Sequence, residues 1–394
     1  MTVSPTGKLT IRKVEAKADF NTLLTFPWKI YKDNPYWVPP LLSMQRHRFD
    51  QEKNSAWQHM TGDYFIAWRE DQPVGTIAAF VNHRHNDFHE DNIGFFGAFE
   101  VYNDQEAAHA LLATATDHVR DLGADAIRGP ATFSTNDECG LLIEGFDDLP
   151  VVLYPYNLPY YQQLIESAPG FEKVMDLYGW HLTLQGTTDS DKLQRLYKVI
   201  HKNNERRGIT VRLPETKKLK QEFTILKEIY NSAWEKNWGF VPLTDQELDE
   251  MVSDLGMYFE PALTIFAEVN GDPAGFLLGI PDMYQALHRA YARPGKPEIV
   301  TMLQALWHWK LRTKITRIRI PFLGVKEKYR GIGVEAAMFA NLYERAVKFA
   351  PQRGWEYGDG GWVLETNDAM NKLCETHNGH IHKRFRFYER KINT

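Results

Sequence analysis

The chain has 394 residues, 43% of them hydrophobic and 25% charged, with a formal net charge of −5, and its length predicts two domains of about 200 residues. The acidic balance argues against a nucleic-acid-binding surface, and two cysteines are too few for a disulfide framework. No run of about twenty apolar residues offers a membrane span, and the opening residues lack the apolar core of a secretory leader, so a cytoplasmic protein without stable membrane insertion is expected; this leaves peripheral attachment through exposed aromatics open.

In chain order, KLTIRKVE reads as a strand, and prolines at 27, 35, 39 and 40 then break any long helix. YFIAWRE and PVGTIAAFVNH read as strands joined by a turn at Asp71 and Gln72, and NIGFFGAFEVY as a third. HRHNDFHE, with His83, His85 and His89, reads as a wet loop whose spacing fits no metal site. Residues 104–123 place Ala107, Leu111, Ala115 and Val119 on one helical face, and DAIRGPAT begins another strand. The stretch 132–159 is turn-rich and polar before it becomes aromatic, which suits a groove wall or an inter-domain contact. QGTTDSDK then marks a boundary near 185–191, dividing residues 1–187 from 188–394.

The second half repeats the order. Helical stretches at 191–206, 215–236 and 244–254 precede the strands ALTIFAEV and PAGFLLGIP, and EIVTMLQALWHWKLR reads as a helix. The strand at 314–325 alternates isoleucines with Arg317 and Arg319, as if one face were wetter. After KEKYRGIG, a helix repeats Val334, Met338, Leu342 and Ala346; GGWVLETN, a helix from 368 and HIHKRFRFYER close the chain. A doubled mixed sheet–helix architecture is the expectation.

The strand–turn–helix around residues 321–340 carries the clearest chemical signal. First-turn amides of a helix lack intrahelical acceptors and sit at the positive end of its dipole. Gly331 and Gly333 let an anion approach the backbone, and Lys328 and Arg330 add positive charge. A tight basic surface turn is the competing reading.

Val325 followed by KEKYRGIGVEAA resembles the cofactor loop of the Gcn5-related N-acetyltransferase superfamily, whose pattern runs basic residue or glutamine, two residues, glycine, one residue, glycine, matched here by Lys328, Gly331 and Gly333. The downstream ETNDAMNKLCETHNGHIHKRFRFYER resembles that superfamily's later strand, asparagine-led helix and closing strands. NPYWVPPLL, GFFGAFE, GPATFSTNDECGLLIEGF and YNLPYY resemble a largely uncharacterised bacterial acetyltransferase-like family. The resemblance implies an α/β fold in the mixed α+β sense: two acetyltransferase-like domains, each a central, mixed, mainly antiparallel sheet flanked by helices. It further implies acetyl-CoA or another acyl-CoA as cosubstrate and an unidentified amine-containing acceptor. The Val325 backbone would meet the pantetheine arm, the amides of Tyr329, Arg330, Gly331, Ile332, Gly333 and Val334 the pyrophosphate, with Lys328 and Asn367 beside them. In the first half, NDQE stands where the loop would be, and Asp104 and Glu106 would repel a pyrophosphate while suiting their own helix.

Acetyl transfer needs a neutral amine, a nearby thioester and proton routes. Relatives place a glutamate on the strand before the loop, and TRIRIPFLGV has none; Glu365, at the end of GGWVLET, is the candidate base. Cys374 lies near where relatives place a proton-donating tyrosine, with packing as its alternative role, and Tyr388 is a second candidate donor. A noncatalytic acyl-CoA sensor and a structural interaction protein are the competing functions.

Overall fold

The computed structural model describes residues 5–184, 191–233, 237–256, 258–312 and 315–392. Most of the expected boundary, residues 185–190, and the end of a predicted helix at 234–236 lie outside the described residues.

Two strand series share one order. The first comprises β1 (Leu9–Lys13), β2 (Met60–Arg69), β3 (Gln72–Asn82), β4 (Ile93–Val101) and β5 (Ala126–Gly129), followed by a short β6 (Leu141–Glu144) and a long β7 (Glu172–Thr183). The second comprises β8 (Ile209–Arg212), β9 (Thr264–Val269), β10 (Asp272–Pro281), β11 (Arg317–Val325) and β12 (Tyr357–Leu364), followed by the long β13 (Gly379–Lys391). In each series four strands are antiparallel neighbours and the fifth lies parallel to the fourth. A parallel pair needs a crossover, which helices Gln105–Asp121 and Val334–Arg353 supply.

The two long strands are exchanged between the halves. β7 pairs with β12, β13 pairs with β5, and β7 and β13 lie antiparallel to each other at the centre. One 13-stranded mixed sheet results, in the order β1-β2-β3-β4-β5-β13-β7-β12-β11-β10-β9-β8, with β6 beside β13. Each half therefore completes its sheet with a strand of the other.

The two crossover helices bury the stripes their periodicity predicts: Leu111, Ala115 and Val119 in one, Val334, Met338, Leu342 and Ala346 in the other. Fully burying a side chain such as leucine contributes about 1.5–3 kcal/mol, which is how a four-residue repeat fixes the face a helix turns inward.

Two expectations change. Arg317 and Arg319 do not lie on a wet face; both are 1% exposed. Arg317 pairs with Asp282 and Asp148, and Arg319 with Asp359 at 2.7 Å, so partners distant in sequence supply what water would have. Residues His83–His89 form a short helix instead of a loop, because the Asn82 side chain accepts from the His85 amide and caps it, and His85 packs inward.

Candidate functional site

The ladder between β11 and β12 runs from Arg317 opposite Tyr357 to Ile320 opposite Gly360 and stops. The next residue, Pro321, has no N–H to give to a ladder, and from there the strands part. A cleft of about 900 Å³ opens at the parting. Its walls include Ile320, Phe322, Leu323, Phe339, Trp362 and Leu373, so much of it is apolar.

The predicted turn forms one end of this cleft, with Val325, Arg330, Gly331 and Gly333 on its surface. Gly331 and Gly333 have φ of 72° and 102°, left-handed values that favour glycine. A Cβ on Gly333 would stand 2.7 Å from the Asn203 amide nitrogen, which itself donates to the Ile332 carbonyl and braces the turn. A Cβ on Gly331 would meet nothing within 4 Å, which leaves that approach to the backbone open.

The amides divide more finely than expected. Those of Tyr329 and Arg330 donate to the Lys326 and Glu327 carbonyls, closing a single 3-10 turn. Those of Gly331, Ile332, Gly333 and Val334 make no hydrogen bond among the described residues. Consecutive unpaired amides at the start of a long helix suit a pyrophosphate.

The basic side chains also divide. Lys328 binds Asp272 at 2.5 Å, Tyr329 donates to the same carboxylate, and neither lines the cleft. Arg330 does line it, held by the carbonyls of Ser232, Ala233 and Val325. Asn367 lies on the wall and caps helix Asp368–Thr376 by accepting from the Met370 amide.

The three candidate catalytic side chains are not brought together. Cys374 lines the cleft, but burial pushes its thiol up to about 12. That shift makes it a weaker acid than a thiol of reference pKa about 8.5, and Cys374 also packs in the buried cluster with Phe339 and Val363. Glu365 is absent from the cleft surface; its carboxylate accepts from Lys173 at 2.7 Å and from the Asp176 amide at 3.0 Å. Glu365 follows β12, and these bonds turn its carboxylate toward Lys173 and Asp176 of β7. Tyr388 sits in the core of the first half and donates to Glu166 at 2.8 Å, away from the cleft.

The sequence reading missed a carboxylate from the first half that lines the cleft together with Glu335 and Asp368 of the second half. Thr135, Asn136 and Asp137, from the first half, form part of its wall. Thr135 donates to the Gly239 carbonyl, the Asn136 amide donates to the Val241 carbonyl, and Ser134 donates to Asp137 at 3.4 Å. Burial raises the Asp137 carboxyl to about 6, with Glu138 adding to the rise and Arg48 opposing it. The available signal was the density of Ser, Thr, Asn and Asp in TFSTNDE, residue types that rigidify turns through side-chain to backbone bonds.

The first half repeats the parting without the chemistry. β4 leaves β5 after Phe95, opening a cavity of only about 170 Å³ partly filled by Trp28, Trp37 and Phe99. At the helix start, Asp104 accepts from the Ala107 amide and from Arg69, so a carboxylate already occupies the place of an anion.

Two copies of a splayed parallel pair, one with a glycine turn at its crossover helix, define a tandem Gcn5-related N-acetyltransferase fold. Among solved structures, a tandem GNAT protein from the clavulanic acid biosynthesis pathway matches with a TM-score of 0.52 at 11% identity, covering 98% of this chain and 99% of that one. A GCN5-related N-acetyltransferase from Sphaerobacter thermophilus matches with a TM-score of 0.50 at 13% identity, covering 98% and 96%. No protein-family model matches. The chain is 30% identical over 382 residues to Protein YghO of Escherichia coli K12, covering 97% of this chain and 95% of that one, and it belongs to the same family as that protein. It is also 27% identical over 391 residues to the bacterial ceramide synthase of Caulobacter vibrioides, covering 99% of each.

Proposed function

We propose that the chain is an acyl-CoA-dependent N-acyltransferase, with residues 188–394 carrying the acyl-CoA site and residues 1–187 contributing the general base Asp137. The observation that carries the reading is that one cleft exposes both the Gly331–Gly333 turn and a carboxylate raised to about 6. The pyrophosphate binds the amides of Gly331 to Val334, and the pantetheine arm follows Val325 along the unpaired edge of β11. The acceptor amine attacks the thioester carbonyl, its proton passes to Asp137, the C–S bond breaks, and CoA leaves as a thiolate that solvent protonates. A carboxylate with a pKa near 6 is largely ionised at neutral pH and still basic enough to take that proton.

The acyl group extends beyond acetyl. Phe322, Leu323, Phe339, Trp362 and Leu373 supply an apolar wall that acetyl alone does not need. The acceptor is the amine of a long-chain base, a reading supported by the name of the relative that is a ceramide synthase. The test supplies purified protein with acyl-CoAs from acetyl to palmitoyl and sphinganine as acceptor, following free thiol and the amide mass. Thiol release matched by amide formation is expected. CoA binding without either product, across acceptors, would leave the noncatalytic sensor, a reading favoured by the engagement of Glu365 and the weak acidity of Cys374.

A further inference from the structure

Helix Glu298–Leu306 continues into a π-helical turn, Trp307–Leu311. Its inner face is settled: Thr301 and Ala305 are buried, and Trp309 packs against the buried cluster that includes Tyr230, Phe240 and Phe276. The outer face is also apolar. Ile299, Met302, Leu303, Leu306 and Trp307 follow the spacing of a helical stripe, yet Ile299 and Leu303 are 60% and 59% exposed, and Leu311 beyond them is 74% exposed. Seven of the ten exposed large apolar side chains among the described residues lie between 299 and 311. A contiguous exposed apolar face of this kind marks an interaction surface.

Its charge identifies the partner. The whole chain is acidic, but residues 284–312 carry five basic side chains and one acidic one. The single carboxylate, Glu298, is engaged by the Ser43 amide at 3.1 Å. Lys310 lies 3.6 Å from the Trp309 ring centroid and Arg312 lies 4.3 Å from that of Trp307, so cations and indoles are interleaved at one end of the apolar stripe. A two-fold dimer through this patch would bring the same cations of both copies together. An anionic lipid surface opposes them with phosphates and accepts the apolar stripe below.

We infer that the segment 298–312 docks the protein on the surface of an anionic lipid bilayer, lying in the plane of the headgroups. Its fourteen helical residues span about 20 Å against a hydrocarbon thickness of roughly 30 Å, so it lies on the membrane without crossing it. No helix among the described residues is long and apolar enough to cross. The inference stands on surface composition alone and does not depend on the acyl-transfer reading.

The test sediments the full-length protein with vesicles of phosphatidylcholine, and with vesicles of equal parts phosphatidylcholine and phosphatidylglycerol, at low salt. Binding to the mixed vesicles is expected, falling about tenfold or more in Leu303→Gln/Leu306→Gln, because each buried methylene removed weakens insertion. Lys310→Glu/Arg312→Glu should abolish the preference for the anionic vesicles, and Val199→Gln, at an exposed apolar position on another helix, should change nothing. Failure of the parent to bind, or equal binding by the parent and Leu303→Gln/Leu306→Gln, overturns the proposal. A concentration-dependent dimer in sedimentation velocity that Leu303→Gln/Leu306→Gln disperses would also overturn it, assigning the surface to a second copy of the chain.

Discussion

Tyr230 donates its hydroxyl to the Asn136 side-chain oxygen at 3.1 Å, joining a second-half helix to the first-half loop that carries Asp137. Tyr230 also lines the cleft, so the bond holds two walls of the site in register. Tyr230→Phe preserves the ring and removes the bond. A stability loss of about 1 kcal/mol is expected by denaturant titration, with a larger proportional fall in kcat than in affinity for CoA. Equal losses in both would show that the bond supports cofactor binding instead of the loop.

Asp137→Asn tests the base directly. A fall in kcat of about 10²- to 10⁴-fold is expected, with CoA affinity preserved. In the parent, kcat/KM should rise with pH through about 6 as the carboxylate forms, and that limb should disappear in the variant. An unchanged pH limb would remove Asp137 from the reaction.

The same residue has a stability signature. Its folded pKa, about 6, lies above the ordinary value, so the folded state holds the proton more tightly than the unfolded chain. This contribution is fully present below about pH 4 and is lost as pH rises through about 6. Asp137→Asn should therefore be more stable than the parent at pH 8, by on the order of 2 kcal/mol, with the advantage shrinking toward pH 4. Thermal melts across that range give the answer, and a constant difference would contradict the raised pKa.

Gly331→Asp should retain the fold, since its Cβ meets nothing within 4 Å and aspartate tolerates the left-handed backbone better than most residues. It places a negative charge beside the free amides, so CoA affinity should fall by about tenfold or more, equivalent to about 1.4 kcal/mol. Lys328→Ala should change it by less than about twofold, because the ammonium already serves Asp272 on an exposed pair. Calorimetric titration with CoA separates the two, and the reverse ranking would move the phosphate site onto the side chains.

Arg317 ties the halves through Asp148 and the carbonyls of Leu149 and Pro150, and pairs with Asp282 within its own half. Arg317→Met leaves Asp282 buried and unpaired, at a cost of about 3–5 kcal/mol. Adding Asp282→Asn removes the stranded charge and should recover a substantial part of that loss. Denaturant midpoints decide it, and no recovery would mean that Arg317 acts mainly through the carbonyls.

What the sequence determined by itself is local. A period of four placed the buried faces of the two crossover helices, a period of two located strands, and two glycines before a helix located the left-handed turn ahead of Val334, because backbone preference and solvent exposure along one segment suffice for each. Tertiary structure decided the partners. Strand periodicity does not encode a neighbour, so the exchange of β7 and β13 was not legible, nor was the burial of Arg317 and Arg319, whose counter-charges lie between 35 and 169 residues away. Glu365 and Asp137 show the same division. Each is a carboxylate in a turn-bearing stretch, but Glu365 folds against Lys173 while Asp137 crosses from the other half into the cleft, because a side chain's electrostatic environment comes from groups that only the fold brings near it.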